Sequence, residues 1–254
     1  MTKQHRVRIF FILVGIIFLI SCATGREVKI KQARATRLLG EAYMQQGNNR
    51  EALKEFLKAE RLYPDDHLLQ NDLGLAYMAI QSYDKAQFHF TKAVALKPGY
   101  ASALNNLGTV YLAKKEWDQA IAHFKSAADD LLYATPHYPL SNIGLAYYHQ
   151  AQYEKAVHYF KQALDIEPRF VLALRGLGRT YLAMNKPTAA VTALEKAVKE
   201  APNFAALFLD LGDAYQQSQQ HENARFAYQK VIDMAPESTA AENARQQLRL
   251  LSEQ

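Results

Sequence analysis

The chain holds one cysteine, Cys22, and one tryptophan in 254 residues. A lone thiol excludes any intrachain disulfide, so stability has to come from helix packing. After residue 20 no apolar run approaches the roughly 20 residues that a membrane-spanning helix needs. No HExxH or other metal-ligand spacing links the eight histidines, so no metal site is assigned. His89 and His123 recur just before Phe90 and Phe124, where a surface position is expected. No Gly-rich phosphate loop and no nucleophile–base arrangement is present, so no catalytic residue, cofactor or small-molecule substrate is expected and the chain reads as a non-enzyme. A large excess of one charge is missing too: 30 Lys and Arg against 25 Asp and Glu leave a formal charge of +5.

What the chain does have is a period. Gly40, Gly74, Gly108, Gly144, Gly178 and Gly212 are spaced 34, 34, 36, 34 and 34 residues apart. Each follows Leu or Ile, and each is followed three residues on by Tyr43, Tyr77, Tyr111, Tyr147, Tyr181 or Tyr215. Nine residues after each tyrosine stands Ala52, Ala86, Ala120, Ala156, Ala190 or Ala224. Four further on comes Phe56, Phe90, Phe124, Phe160, Leu194 or Tyr228, and Pro64, Pro98, Pro136, Pro168, Pro202 or Pro236 closes the unit. A glycine inside a helix costs roughly 1 kcal/mol relative to alanine, so six at one interval imply a repeated close approach of backbones. The pattern is identified as the tetratricopeptide repeat, in six copies.

Each unit is expected to be two antiparallel helices, the first with Leu-Gly-x-x-Tyr, the second with Ala-x-x-x-Phe-x-x-Ala on one face. The turn between them should fall near Gln46-Gly47-Asn48 in the first unit and near Lys114-Lys115-Glu116 in the third. Asp84, Asp118, Glu154 and Glu222 suit the positive start of the second helices. One unit cannot bury its apolar face alone, so neighbours must stack. The expected fold is therefore all-α: a tetratricopeptide superhelix, or α-solenoid, of six helix-turn-helix units plus a capping helix. Its units span 33–66, 67–100, 101–136, 137–170, 171–204 and 205–238, and 239–254 form the cap, with Ala240, Ala244, Leu248 and Leu251 on one face. The site of Leu104, Leu140, Leu174 and Phe208 is Thr36 in the first unit and Gln70 in the second, so these units are expected to pack less tightly and fray first.

The N-terminus has a separate logic. Lys3, Arg6 and Arg8 precede an apolar stretch from Ile9 to Ile20, too short to span a membrane and suited to a signal-peptide core. It ends Leu19-Ile20-Ser21-Cys22, which resembles the lipobox of bacterial lipoproteins. That resemblance implies cleavage of 1–21, diacylglycerol on the Cys22 thiol and a third acyl chain on its amine. An uncleaved anchor, or a secretory peptide with an incidental cysteine, are the other readings. Ala23 in place of an aspartate implies sorting to the periplasmic face of an outer membrane. Removing residues 1–21 takes away three cations and no acid, so net charge falls from +5 to +2; that argues against a nucleic-acid partner. Residues 22–32 are expected to form a lipidated N-terminus and polar tether, which at roughly ten residues reaches at most about 35 Å.

First helices of such repeats line the concave face, which by position includes Asn71, Asp72, Asn105, Asn106, Thr109, Ser141, Asn142, Tyr148, Arg175 and Arg179. Amides at matched sites suit an extended peptide backbone, and Arg175 and Arg179 suit a carboxylate. Asn106 and Asn142 stand where chaperone-binding members of this fold hold peptide, although asparagine is also common there in the generic repeat. A second candidate is the 36-residue unit, where Asp129 to Pro139 hold two prolines and two tyrosines. Two extra residues should lengthen its second helix or change its exit. The join is either a tolerated insertion or a partner anchor built on Tyr133 and Tyr138.

A lipobox followed by six such repeats resembles the PilF/PilW family of type IV pilus biogenesis lipoproteins. Tyr133-Ala134-Thr135-Pro136 leading into Ser141-Asn142-Ile143-Gly144 looks like that family's middle region. The resemblance implies a pilotin: a lipid-anchored outer-membrane scaffold whose protein partner is the pilus secretin and which aids the secretin's localisation and multimerisation. Family members often carry cysteines in the repeats, and this chain has none there. A general envelope adaptor, for example for peptidoglycan enzymes, is the alternative.

Overall fold

The computed structural model describes residues 25–253. Residues 1–21, read above as a signal peptide, and Cys22 lie outside the described residues. Among the described residues there are thirteen helices and no strand. They are α1 (residues 25–45), α2 (Asn49–Leu62), α3 (His67–Ala79), α4 (Tyr83–Leu96), α5 (Ala101–Ala113), α6 (Trp117–Ala128), α7 (His137–His149), α8 (Tyr153–Ile166), α9 (Val171–Ala183), α10 (Pro187–Glu200), α11 (Ala205–Gln217), α12 (His221–Met234) and α13 (Thr239–Ser252). None of the described helices is long and apolar enough to cross a membrane. The chain divides into two compact units between Val110 and Tyr111, inside α5.

One turn design closes all six helical hairpins. Gly47, Gln81, Lys115, Ala151, Asn185 and Gln219 each adopt a left-handed φ, between 56° and 76°. The next residue donates its amide to the carbonyl of the repeat tyrosine: Ser82 to Tyr77 at 2.9 Å, Gln152 to Tyr147 at 2.9 Å, Lys186 to Tyr181 at 2.8 Å. Together with the shorter bond from Gln81 to the Met78 carbonyl (2.9 Å), this is a Schellman stop, which satisfies carbonyls that the helix end would leave unpaired. Only the first hairpin uses glycine at the left-handed position; elsewhere the tertiary fold holds a side chain there.

In the first unit Phe56 and Phe90 are buried under Gly40 and Gly74; a Cβ on Gly74 would lie 2.5 Å from the Phe90 ring. In the second, Phe160, Leu194 and Tyr228 lie over Gly144, Gly178 and Gly212 in the same way. Each glycine thus lets a large side chain of the second helix sit against the first helix. Second helices also cover the next first helix: α6 puts Ala120, Ile121 and Phe124 against Ile143 and Ala146 of α7. The cap is present as expected, with the Ser238 hydroxyl accepting from the Ala241 amide and Ala244 and Leu251 buried against Tyr228 and Val231.

Four expectations are corrected or decided between alternatives. Residues 25–32, assigned to the tether, are helical and continuous with α1. The segment holds the helix formers Arg26, Glu27, Lys29, Lys31 and Gln32, Glu27 pairs with Lys31 at 2.8 Å, and Ala33 is buried, so the chain has reason to coil early. In the third unit the second helix is not lengthened: α6 has 12 residues where α4, α8, α10 and α12 have 14. The exit changes instead, because Asp129 and Asp130 fall at a helix C-terminus, where negative charge is unfavourable. His89 is buried and His123 half-buried, stacked on Tyr77 and Tyr111 at 5.2 Å.

The fourth concerns Gln70, which is fully buried and fully used. Its Nε2 donates to Glu60 Oε1 (3.0 Å) and to the Pro64 carbonyl (2.8 Å), which leaves Oε1 as the acceptor from His89 Nδ1 at 2.7 Å. That arrangement fixes the His89 tautomer with its proton on Nδ1, and burial lowers the imidazole's pKa, which keeps the ring neutral. A polar residue at an apolar repeat position is thus a satisfied core group here, not a packing defect.

Candidate functional site

The polar residues of the first helices pair with one another across 35 positions. In the first unit Arg37 Nη1 donates to Asp72 Oδ2 at 2.9 Å and to Glu41 Oε1 at 2.5 Å. One unit on, Asn106 Nδ2 donates to Asn71 Oδ1 at 2.9 Å, and Asn71 is buried. In the second unit Arg175 Nε donates to Asp210 Oδ2 at 2.5 Å, with its guanidinium 5.4 Å from the Phe204 ring. The repeat places residue i of one first helix beside residue i+35 of the next, so side chains that read as ligand groups cross-link neighbouring hairpins. Asn105, Thr109 and Asn142 are half-buried, and Thr109 donates back to the Asn105 carbonyl at 3.0 Å. Ser141 is buried.

The Arg37–Asp72 pair carries a pH dependence. Burial pushes the Asp72 carboxyl up to about 6 although Arg37 opposes the shift, and the nearby Glu41 adds to it. A folded pKa above the unfolded one means that the native state holds the proton more tightly between about pH 4 and 6. The stability this group contributes is therefore present in acid and lost as pH rises through about 6. Urea midpoints of the parent and Asp72→Asn should differ in that window, the parent losing stability relative to the variant from pH 4 to 7. Parallel pH profiles would reject this assignment.

The second unit holds an open groove of about 600 Å³. Two expected site residues meet there: the Arg179 guanidinium lies 5.2 Å from the Tyr148 ring centre. Among the described residues no carboxylate stands within ion-pair distance of Arg179, unlike Arg175. The lining also includes Asp210, Asp213, Gln216 and Gln217 from α11 and Gln247 from α13. Burial raises the Asp213 pKa, while the Tyr228 hydroxyl, donating to its Oδ1 at 2.8 Å, opposes the shift. The groove thus offers one cation on an aromatic platform, three amides and two carboxyls: Asp210, which is engaged by Arg175, and Asp213, whose pKa is raised by burial. Such a set suits a peptide backbone and a carboxylate. Sequence reading missed Asp210 and Asp213, although Asp210 stands one repeat on from Gly176 and two from Asn142. Gln247 has no repeat register to betray it.

At the irregular join, Tyr138 packs edge-on against Phe170 (4.9 Å between ring centres) and beside His137 (4.6 Å), and Tyr133 is half-buried. Pro139 sits in the first turn of α7, as its missing N–H allows. Leu131 and Leu132, not singled out by sequence, are the side chains that project, at 99% and 93% exposure. Among the described residues no cluster of three or more His, Cys, Asp or Glu is arranged to hold a metal ion.

Hairpins repeating at 34 or 36 residues, closed by one turn design and packed around a glycine and a large apolar side chain, define a tetratricopeptide-repeat protein of the α-solenoid class. Family models described as tetratricopeptide repeats match residues 40–81, 69–100, 99–169, 142–203 and 175–239. Among solved structures, the chain is similar to PilW, described as a widely conserved type IV pilus biogenesis factor, with a TM-score of 0.77 and 23% identity over 83% of this chain and 97% of that one. PilF of Pseudomonas aeruginosa gives 0.74 and 19% over 88% and 99%. The Cut9–Hcn1 hetero-tetramer of the APC/C gives 0.75 and 17%, over 84% of this chain but 42% of that one. No curated protein matches the sequence. At these identities the likeness establishes the fold, and a scaffold for protein–protein contact is the role such a fold supports.

Proposed function

We propose that this protein is an outer-membrane lipoprotein scaffold of type IV pilus biogenesis, which binds the pilus secretin and aids its localisation and multimerisation. The observation that supports this reading is fit and coverage together. The fold agrees at a TM-score of 0.77 over 97% of PilW and 0.74 over 99% of PilF, where other repeat proteins matched over more than 90% of their length reach only 0.55 to 0.67. The lipobox-like Leu19-Ile20-Ser21-Cys22 supports it. Acyl chains on Cys22, each buried methylene contributing about 0.8 kcal/mol, would hold the array at the membrane and raise the local concentration of a bound secretin subunit. The groove beside Arg179 is the surface assigned to that subunit.

Deleting the gene is expected to abolish secretin rings in outer-membrane fractions. Cys22→Ala should leave the protein folded but the secretin misplaced. In affinity capture from envelope extracts, Arg179→Glu should weaken secretin recovery about tenfold, the loss of one desolvated charge contact. Normal rings in the deletion strain would end this reading, and recovery of cell-wall enzymes in place of secretin would identify an envelope adaptor.

A further inference from the structure

We propose that the irregular join is a second docking site, which takes a short protein segment carrying an apolar pair flanked by Lys or Arg. It goes beyond the pilotin reading, since it names a different surface and a chemistry for whatever binds there. The turn after α6 is built, not loose. The Asp130 carboxylate accepts the Leu132 amide at 2.9 Å, and the Asp130 carbonyl accepts the Tyr133 amide at 3.0 Å. This Asx turn fixes Leu131 and Leu132 at its tip, the two most exposed large apolar side chains among the described residues. Nothing in the unit covers them.

The early end of α6 also opens a groove of about 560 Å³ between the last turns of α6 and α8. Its apolar wall is Leu140, Ile143 and the half-exposed Ile166; its charged rim is Asp129 and Asp165, with Lys125 as the cation. With Asp130 in the turn, three carboxylates stand against one lysine. An apolar side chain fits the wall and the two leucines, and a flanking cation fits the rim. The same carboxylates oppose an anionic lipid surface, which is why a peptide, not a bilayer, is the occupant.

The test is a random peptide library displayed on phage, selected on the purified full chain and counter-selected on Leu131→Ser/Leu132→Ser. Both positions are almost fully exposed, so the variant should keep its helicity and melting temperature. The expected consensus is an apolar pair with neighbouring Lys or Arg. A synthetic peptide of that consensus should lose at least about tenfold in affinity on the leucine variant. It should lose a similar factor on Asp129→Lys/Asp165→Lys, with binding that weakens as salt rises. No enriched consensus, an acidic consensus, or peptides that bind both variants as well as the parent would overturn the proposal. So would retention on phosphatidylethanolamine–phosphatidylglycerol vesicles that depends on the leucines while the library yields nothing. Because no secretin enters this experiment, its outcome is separate from that of the pilotin reading.

Discussion

Phe160→Ala is expected to lower the free energy of unfolding by about 3–5 kcal/mol, the range for emptying a buried aromatic site. Phe160 is 1% exposed and lies between two glycines on successive first helices. A Cβ on Gly144 would come to 2.9 Å from its ring and one on Gly176 to 2.3 Å, so the ring is the spacer between α7 and α9. Ala156, Ala163 and Ala173 surround it and have no atoms with which to fill the space. Gly176→Ala attacks the same contact from the other side and should cost about 1–3 kcal/mol by overpacking. The two changes share one volume, so they should not add. Gly176→Ala combined with Phe160→Leu should be more stable than the sum predicts, since the new methyl occupies part of what the ring vacates. Urea unfolding followed by circular dichroism gives the four corners of that cycle. Strict additivity would mean that the ring does not set the spacing of these helices.

The period of the glycines and tyrosines made the hairpins legible, because each repeat position meets the same local demand six times over. Leu73 through Leu211 announce the covered face of the later first helices, while Leu39 in the first repeat is 47% exposed, and Pro64 through Pro236 announce the breaks. What the sequence did not disclose depends on contacts between repeats. Gln70 looked like a defect because its three partners, Glu60, Pro64 and His89, belong to other elements. Arg175 looked like a free fork because Asp210 lies 35 residues away. The shortened α6 was hidden for another reason: counting two extra residues says nothing of where they go, and Asp129-Asp130 decided it by capping a turn. In the candidate groove, sequence position found Tyr148 and Arg179 but not the residues that α11 and α13 set opposite them.

Asp210→Arg is expected to cost about 3 kcal/mol, because it sets a second cation against Arg175 at a site where both native side chains are largely covered. Their exposures are 26% for Arg175 and 13% for Asp210, so the loss belongs at or just below the low end of the 3–5 kcal/mol found when a buried pair is broken. The charge-swapped double variant Arg175→Asp/Asp210→Arg should recover a good part of it, with a coupling of about 1–3 kcal/mol. Recovery will be incomplete, since the arginine then leaves the Phe204 ring it now covers. This cycle separates two roles that the polar face of α9 could combine. If Arg175 serves a ligand and the ion pair is incidental, Asp210→Arg will leave the urea midpoint where it was. If the pair clamps α9 to α11, the swap restores stability. Arg179→Glu should do the opposite, keeping the fold and losing the partner, because Arg179 rests on an aromatic ring and on no carboxylate of its own unit. The repeat spends one turn of its first helices on holding neighbours together, and the adjacent turn is what remains for recognition.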